Sequence, residues 1–275
     1  MDGIVSRRSD TPPIFKAVIS ATYKENLAYR SQMAISIFTQ PIYFLVQYFI
    51  WQSVFKISDT VSGFTLDQML LYFAISSLSG FLNWDSAGTE LQNLIQTGKF
   101  ITFQIRPVSH IYYSFFQKVG NRILAFWVEM VPVIFFYILF GIDLIPAKPF
   151  WTVISFSISF VLSFLVSYTV GTIAFWLVKT DGVRRSILLF TQIFSGLFLP
   201  LNLFPKGFQK ILFYLPFQFI TYVPTRVYIG SYELAGITMP IPQIVFLQAI
   251  MVVIMFLVNR FIWSMGIKRF TGVGS

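Results

Sequence analysis

One carboxylate stands inside an otherwise uncharged apolar run: Glu129, in the stretch Ile123–Ile142. Arg122 precedes it by about 10 Å along a helix at ~1.5 Å per residue. An intramembrane carboxylate is costly and faces protein or water. It suits three kinds of chemistry: lining a path for a cationic molecule, relaying protons, or pairing with Arg122 or a partner subunit near the inner interface. Bond-making chemistry has little to work with. The chain has no cysteine, so neither disulfides nor thiolate catalysis arise. Its single histidine, His110, cannot build a metal site alone, and no H-E-x-x-H motif is present. A nucleophile–histidine pair would have to use His110 beside Ser109, where a surface or interface histidine is the simpler expectation. A phosphate-cradling G-x-x-x-x-G-K-[ST] loop is missing too: Gly98-Lys99 is followed by Phe100, with no upstream glycine at the required place. No catalytic residue and no metal ligand is therefore assigned, and any ATP and Mg belong to another polypeptide.

The elements that hold Glu129 are apolar windows. A hydrocarbon core of ~30 Å needs about 20 mostly apolar residues in a helix. Six stretches approach or exceed that length: Met33–Phe55, Gln68–Trp84, Ile123–Ile142, Pro149–Val178, Ser186–Pro205 and Leu234–Asn259. Hydrophobic residues make up 56% of the 275 and charged residues 11%, against about 25% charged in a soluble domain. The expectation is an all-α membrane protein, one permease-like domain over 1–275 with six transmembrane helices. Serines at 155, 157, 159, 163 and 167, with Gly171, make the fourth window suited to close helix contact. The tryptophans fall mostly near window ends, as interfacial anchors do.

The net charge of +9 orients these windows and does not call for nucleic acid. With the N-terminus cytoplasmic, the outer segments hold only Lys56, Lys148, Lys206, Lys210 and Arg226; every other Lys and Arg falls inside, as the positive-inside rule demands. Both termini are then cytoplasmic. The polar segment before Lys16 lacks the apolar core of a cleavable signal, so its retention is expected.

Three connecting segments carry further signals. In 12–30, Phe15, Val18, Ile19, Tyr23 and Leu27 recur at helical spacing beside Lys16 and Lys24, which fits an amphipathic helix in the headgroup layer or an extension of the first span. In 85–118, Leu91, Leu94, Ile95 and Phe100 mark a short helix ending near Gly98, before the helix-averse Arg106-Pro107. In 205–224, an apolar run broken by Pro216 lies between Pro205 and Pro224, too short to span. It fits a re-entrant helical hairpin covered by protein, or a lid on the outer surface.

Two passages carry a family resemblance: QIRPVSHIYYSFFQKVGNR over 104–122, and SGLFLPLNLFPKGFQKILFYLPFQFITYVPTRVYIG over 195–230. With the window layout, they resemble the permease subunits of ABC transporters of the ABC-2 type, an exporter class. The resemblance implies a separate ATPase, a second six-span permease (a heterodimer, or a homodimer), and a bacterial cytoplasmic (inner) membrane location. It also assigns segments: 12–30 as a connecting helix, 85–118 as the coupling segment, and 205–224 as the outer gate. ATPase-coupling candidates are then Glu90, Lys99, Arg106, Pro107, Arg184 and Arg185. Glu129 and Arg122 are the path or pair residues, and Pro200, Pro205, Pro216 and Pro224 shape the gate. The aromatic richness with Glu129 leans toward an amphipathic or drug-like organic cargo. An ion-coupled transporter using Glu129, or a non-transporting scaffold or immunity protein, are the competing readings.

Overall fold

The structure is a computed structural model that describes residues 14–28, 30–84, 86–104, 108–177 and 181–270. Its helices are α1 (Ile14–Ala28), α2 (Arg30–Val54), α3 (Leu66–Asn83), α4 (Ala87–Gln96), α5 (Ile101–Gln104), α6 (His110–Ala125), α7 (Val131–Leu139), α8 (Pro149–Gly171), α9 (Asp181–Phe194), α10 (Lys206–Tyr214), α11 (Tyr222–Ile229) and α12 (Ile241–Gly266). One small antiparallel hairpin pairs β1 (Tyr232–Leu234) with β2 (Ile237–Met239). Its two-residue turn uses left-handed Ala235 and Gly236, the geometry that tight hairpins favour.

α3 is the central helix. A capping box starts it: Gln68 N–H donates to Thr65 Oγ1 at 3.4 Å, and Thr65 N–H to Gln68 Oε1 at 3.2 Å. Its apolar residues surround the axis, and a helix apolar all round belongs in the interior. Met69, Tyr72, Phe73, Ala74 and Ile75 are all buried accordingly. Around it, one apolar core joins α2, α7, α8, α11 and α12. A second, rich in rings, gathers α4 with the ends of α8 and α12 through Leu91, Ile95, Phe164, Tyr168 and Phe175. α1 lies across α6 where Gly120 faces the Ile19 carbonyl, and a Cβ there would stand 3.1 Å from that oxygen.

Among the described residues, three helices are long and apolar enough to cross a membrane: His110–Leu139, Pro149–Phe175 and Ile241–Arg269. The first includes a π turn over Phe126–Met130 between α6 and α7. Pro132 is the physical reason. It has no N–H to give the Val128 carbonyl and its ring crowds that oxygen, so Val131 N–H reaches back to Phe126 O instead.

Several boundaries differ from the sequence expectation. The third helix begins at His110 rather than after Arg122, so Lys118 and Arg122 are helical and packed rather than part of a polar loop. The fifth window is not one helix over Ser186–Pro205. α9 has 14 residues, about 21 Å at ~1.5 Å per residue, and stops before Gly196, whose φ is +83°. Pro200 and Pro205 then prevent its resumption. The sixth helix starts at Ile241 rather than near Leu234, because the hairpin and Pro240 occupy the earlier residues. Asp85, Arg106, Pro107 and Lys179 lie outside the described residues.

Candidate functional site

Glu129 and Arg122 open onto one polar cavity of about 720 Å³. The π turn holds Glu129 there, 9% exposed. A π turn adds a residue to the helical circuit and redirects side chains, which is why such turns mark functional positions. Arg122 Nη1 donates to the Phe81 carbonyl at 2.8 Å, tying α6 to the end of α3. The cavity is completed by Thr39, Gln40 and Tyr43 of α2, by Ser77 and Trp84 of α3, and by Gln192 and Phe198 beyond. Sequence reasoning missed Thr39, Gln40 and Gln192. Polar side chains inside uncharged windows were the available signal. The arrangement is a half-open chamber with one acidic group, one basic group and aromatic walls. It can hold a molecule that is part polar and part ring or chain.

The broken segment after α9 packs deep against this bundle. Fully buried Gln248, two turns into α12, donates to the Phe219 carbonyl at 2.8 Å and to Ser155 O at 3.1 Å, and accepts from Ser155 Oγ at 2.8 Å. Asn83, the last residue of α3, donates to the Ile220 carbonyl at 2.9 Å. Tyr72 Oη donates to Gly196 O at 2.6 Å, and Tyr222 N–H to Ser195 O at 2.8 Å. Backbone that leaves the helical ladder in an apolar setting needs such partners. Pro200 is buried and Pro224 is buried in the first turn of α11, where a missing N–H costs nothing. Pro216 opens a 3₁₀ turn over Pro216–Phe219, and Pro205 precedes α10 at the surface. Nearby, burial pushes the Tyr232 phenol well above its ordinary range, so it keeps its proton and donates to Gln218 Oε1 at 2.8 Å.

The opposite end of the bundle carries α4. Its buried face, Leu91, Gln92 and Ile95, lies on the last turns of α8. Each of the two apolar side chains contributes roughly 1.5–3 kcal/mol by burial. Glycine permits the approach: a Cβ on Gly88 would stand 2.2 Å from Ser167 O, and one on Gly171 would stand 2.5 Å from Gly88 O. Ser86 Oγ donates to Glu90 Oε1 at 2.6 Å. Arg184 Nη1 donates to Thr89 Oγ1 at 2.8 Å, joining α9 to α4. Lys99 and Arg185 are exposed. The structure thus brings Glu90 and Arg184 to one joint, while Arg106 and Pro107 fall outside the described residues.

A family model described as "ABC-2 family transporter protein" matches residues 42–274. The chain belongs to the ABC-2 family of transporter proteins. Neither the curated proteins nor the solved structures contain a match. Membership makes this ABC-2 protein a multi-pass membrane component of the permease kind rather than the ATPase itself. α1 lies before the matched residues.

Two further groups in the ABC-2 chain differ from expectation. His110, expected at the surface or at an interface, is buried where α6 meets α8. Its Nδ1 lies 3.1 Å from Tyr168 Oη, and the rings of Phe100 and Phe103 stand edge-on to it. Its neighbours are those of a packing residue, with Ser114 one turn on. Lys118 is 2% exposed, donating to Ser163 Oγ at 2.7 Å and Phe160 O at 3.1 Å, with the Phe160 ring 4.4 Å away. The serines of α8 therefore act as hydrogen-bond partners as well as small contacts.

Proposed function

We propose that this chain is a membrane-spanning subunit of an ATP-driven exporter in a bacterial cytoplasmic membrane. With a second permease it encloses the path, and a separate ATPase that binds ATP and Mg drives it. The observation that carries this reading is the α4 joint. A short amphipathic helix lies backbone to backbone on α8 and is tied to α9 through Thr89 and Arg184. Such a helix passes on a push with little loss, since close-packed interiors transmit displacement.

Closure of the ATPase on nucleotide displaces α4, and α8 moves with it. Ser155, Ser159 and Ser163 of α8 share hydrogen bonds with Gln248 and Asn83, which hold the Phe219 and Ile220 carbonyls. The outer segment over 205–224, read as a re-entrant gate, opens when those bonds exchange. Only differential contact with the two nucleotide states of the ATPase shifts this equilibrium. Glu90, Lys99, Arg106, Pro107, Arg184 and Arg185 make the docking surface. The polar cavity receives the cargo, an amphipathic organic molecule with its cationic end toward Glu129.

The test is charge reversal at the joint. Glu90→Lys leaves the permease–ATPase complex assembled, while ATP hydrolysis and export uncouple. Unchanged export removes Glu90 from the coupling surface. A second reading rests on the burial of Glu129 at a π turn: proton-coupled transport without an ATPase. Vanadate stops export under the first reading; an uncoupler stops it under the second.

A further inference from the structure

α6–α7 and α8 meet at one end and part at the other. At the near end Lys118 binds Ser163, and the Phe115 ring stands edge-on to Phe160 and Phe164. Further along, α7 turns to α2, where Phe136 and Tyr137 pack around Phe44, while α8 is held to α12 through Ser155 and Gln248. Helices committed to different neighbours diverge. The gap is a groove of about 910 Å³, floored by Ile75 and Leu78 of α3 and closed at the far end where Tyr228 Oη donates to the Leu144 carbonyl. Its rim residues Trp127 and Val153 are 65% and 67% exposed. The volume is that of a site for a sizeable ligand.

Apart from Ser157, whose hydroxyl donates to its own helix at Val153 O, the groove is polar only at its ends. Arg122 marks the near end, its Nη1 engaged with Phe81 O. At the far end lies Thr152, buried, with no hydrogen-bond partner for its Oγ1. A buried hydroxyl without a partner is unfavourable and calls for an acceptor. Lys148, exposed one turn nearer the start of α8, adds a cation there. Ile134 and Arg122 bracket a length of about 18 Å at ~1.5 Å per residue, slightly more than half of a ~30 Å hydrocarbon core. That is the depth of one leaflet. Both walls belong to helices apolar enough to face lipid.

We propose that the groove binds one acyl chain of a phospholipid from the leaflet at the Pro149 end. Thr152 Oγ1 donates to its ester carbonyl, Lys148 meets its phosphate, and the chain runs along Ile75 and Leu78 to Arg122. This goes beyond the transport reading and does not depend on it. The bound lipid fills the wedge between α7 and α8, the pair that would otherwise close or splay when α8 moves.

The test uses the purified full chain in mild detergent, loaded with ester-linked phosphatidylglycerol or its ether-linked analogue, and native mass spectrometry to count retained lipid. The wild type retains one ester lipid and holds the ether analogue about fivefold more weakly, the loss of one net hydrogen bond. Thr152→Val binds both lipids equally, at the weaker level. Ser157→Trp, at an exposed position lining the groove, loses the lipid with unchanged thermal unfolding in lipid-free detergent. Equal retention of ester and ether lipids by the wild type, or full retention by either variant, overturns the proposal. So does a wild type that carries detergent alone.

Discussion

Gln248→Leu removes three hydrogen bonds from the interior at nearly constant volume. The Phe219 carbonyl, freed from the helical ladder by the Pro216–Phe219 turn, loses its 2.8 Å donor. Ser155 Oγ loses its 2.8 Å acceptor but can turn back to its own helix, as Ser157 and Ser159 do. Ser155 O already serves α8. One stranded carbonyl therefore dominates, at about 1–3 kcal/mol for an unsatisfied buried group. Interhelical bonds in membranes average nearer ~0.6 kcal/mol and reach ~1.7. Leucine returns some apolar contact, which leaves a net loss of about 1 kcal/mol. Reversible unfolding of the purified chain in mixed micelles measures it. Combining Gln248→Leu with Ser155→Ala should give a coupling energy near 1 kcal/mol, since the two residues share a contact. A Gln248→Leu protein within 0.5 kcal/mol of wild type would refute the view that side chains from α3 and α12 hold the broken segment in place.

Gly88→Ala places a methyl against the Ser167 carbonyl, so α4 must lift from α8; overpacking of this kind costs about 1–3 kcal/mol, and a lower unfolding midpoint with weaker ATPase-coupled export is expected. An unshifted midpoint would show that α4 and α8 are not in backbone contact. Glu129→Gln keeps the shape of the cavity and removes its negative charge; normal assembly with lost export is expected, whereas lost assembly assigns Glu129 to structural pairing. Thr89→Ala and Arg184→Ala singly and together should show a coupling of about 0.5–1.5 kcal/mol from their shared bond, and additive effects would remove the α4–α9 tie.

Part of the fold was readable in the sequence: among the described residues three of the six apolar windows coincide with helices long enough to span, and proline placement is a local signal. Pro149 starts α8, Gly98 with φ +69° ends the turn after α4, and the prolines at 200, 205 and 216 mark where the chain leaves the helical ladder. What stayed hidden depends on distant partners. Lys118 and His110 read as polar loop residues because nothing near them in sequence reveals Ser163, Phe160 or Tyr168, some 40 to 60 positions away. The serines of α8 read as spacing alone until Asn83 and Gln248 stand opposite. The polar cavity was half legible: a lone carboxylate signals its own cost, but Thr39, Gln40 and Gln192 carry no charge and converge only through packing.

The central claim is that this permease takes its driving force from another polypeptide. Purification of the tagged chain from its native membrane, with identification of whatever co-assembles and transport measured in vesicles made from that complex, tests it most directly. The account predicts a stoichiometric ABC ATPase in the complex and cargo movement that requires ATP and stops with vanadate. Cargo movement by the chain alone, driven by a proton gradient and abolished by an uncoupler, would contradict it.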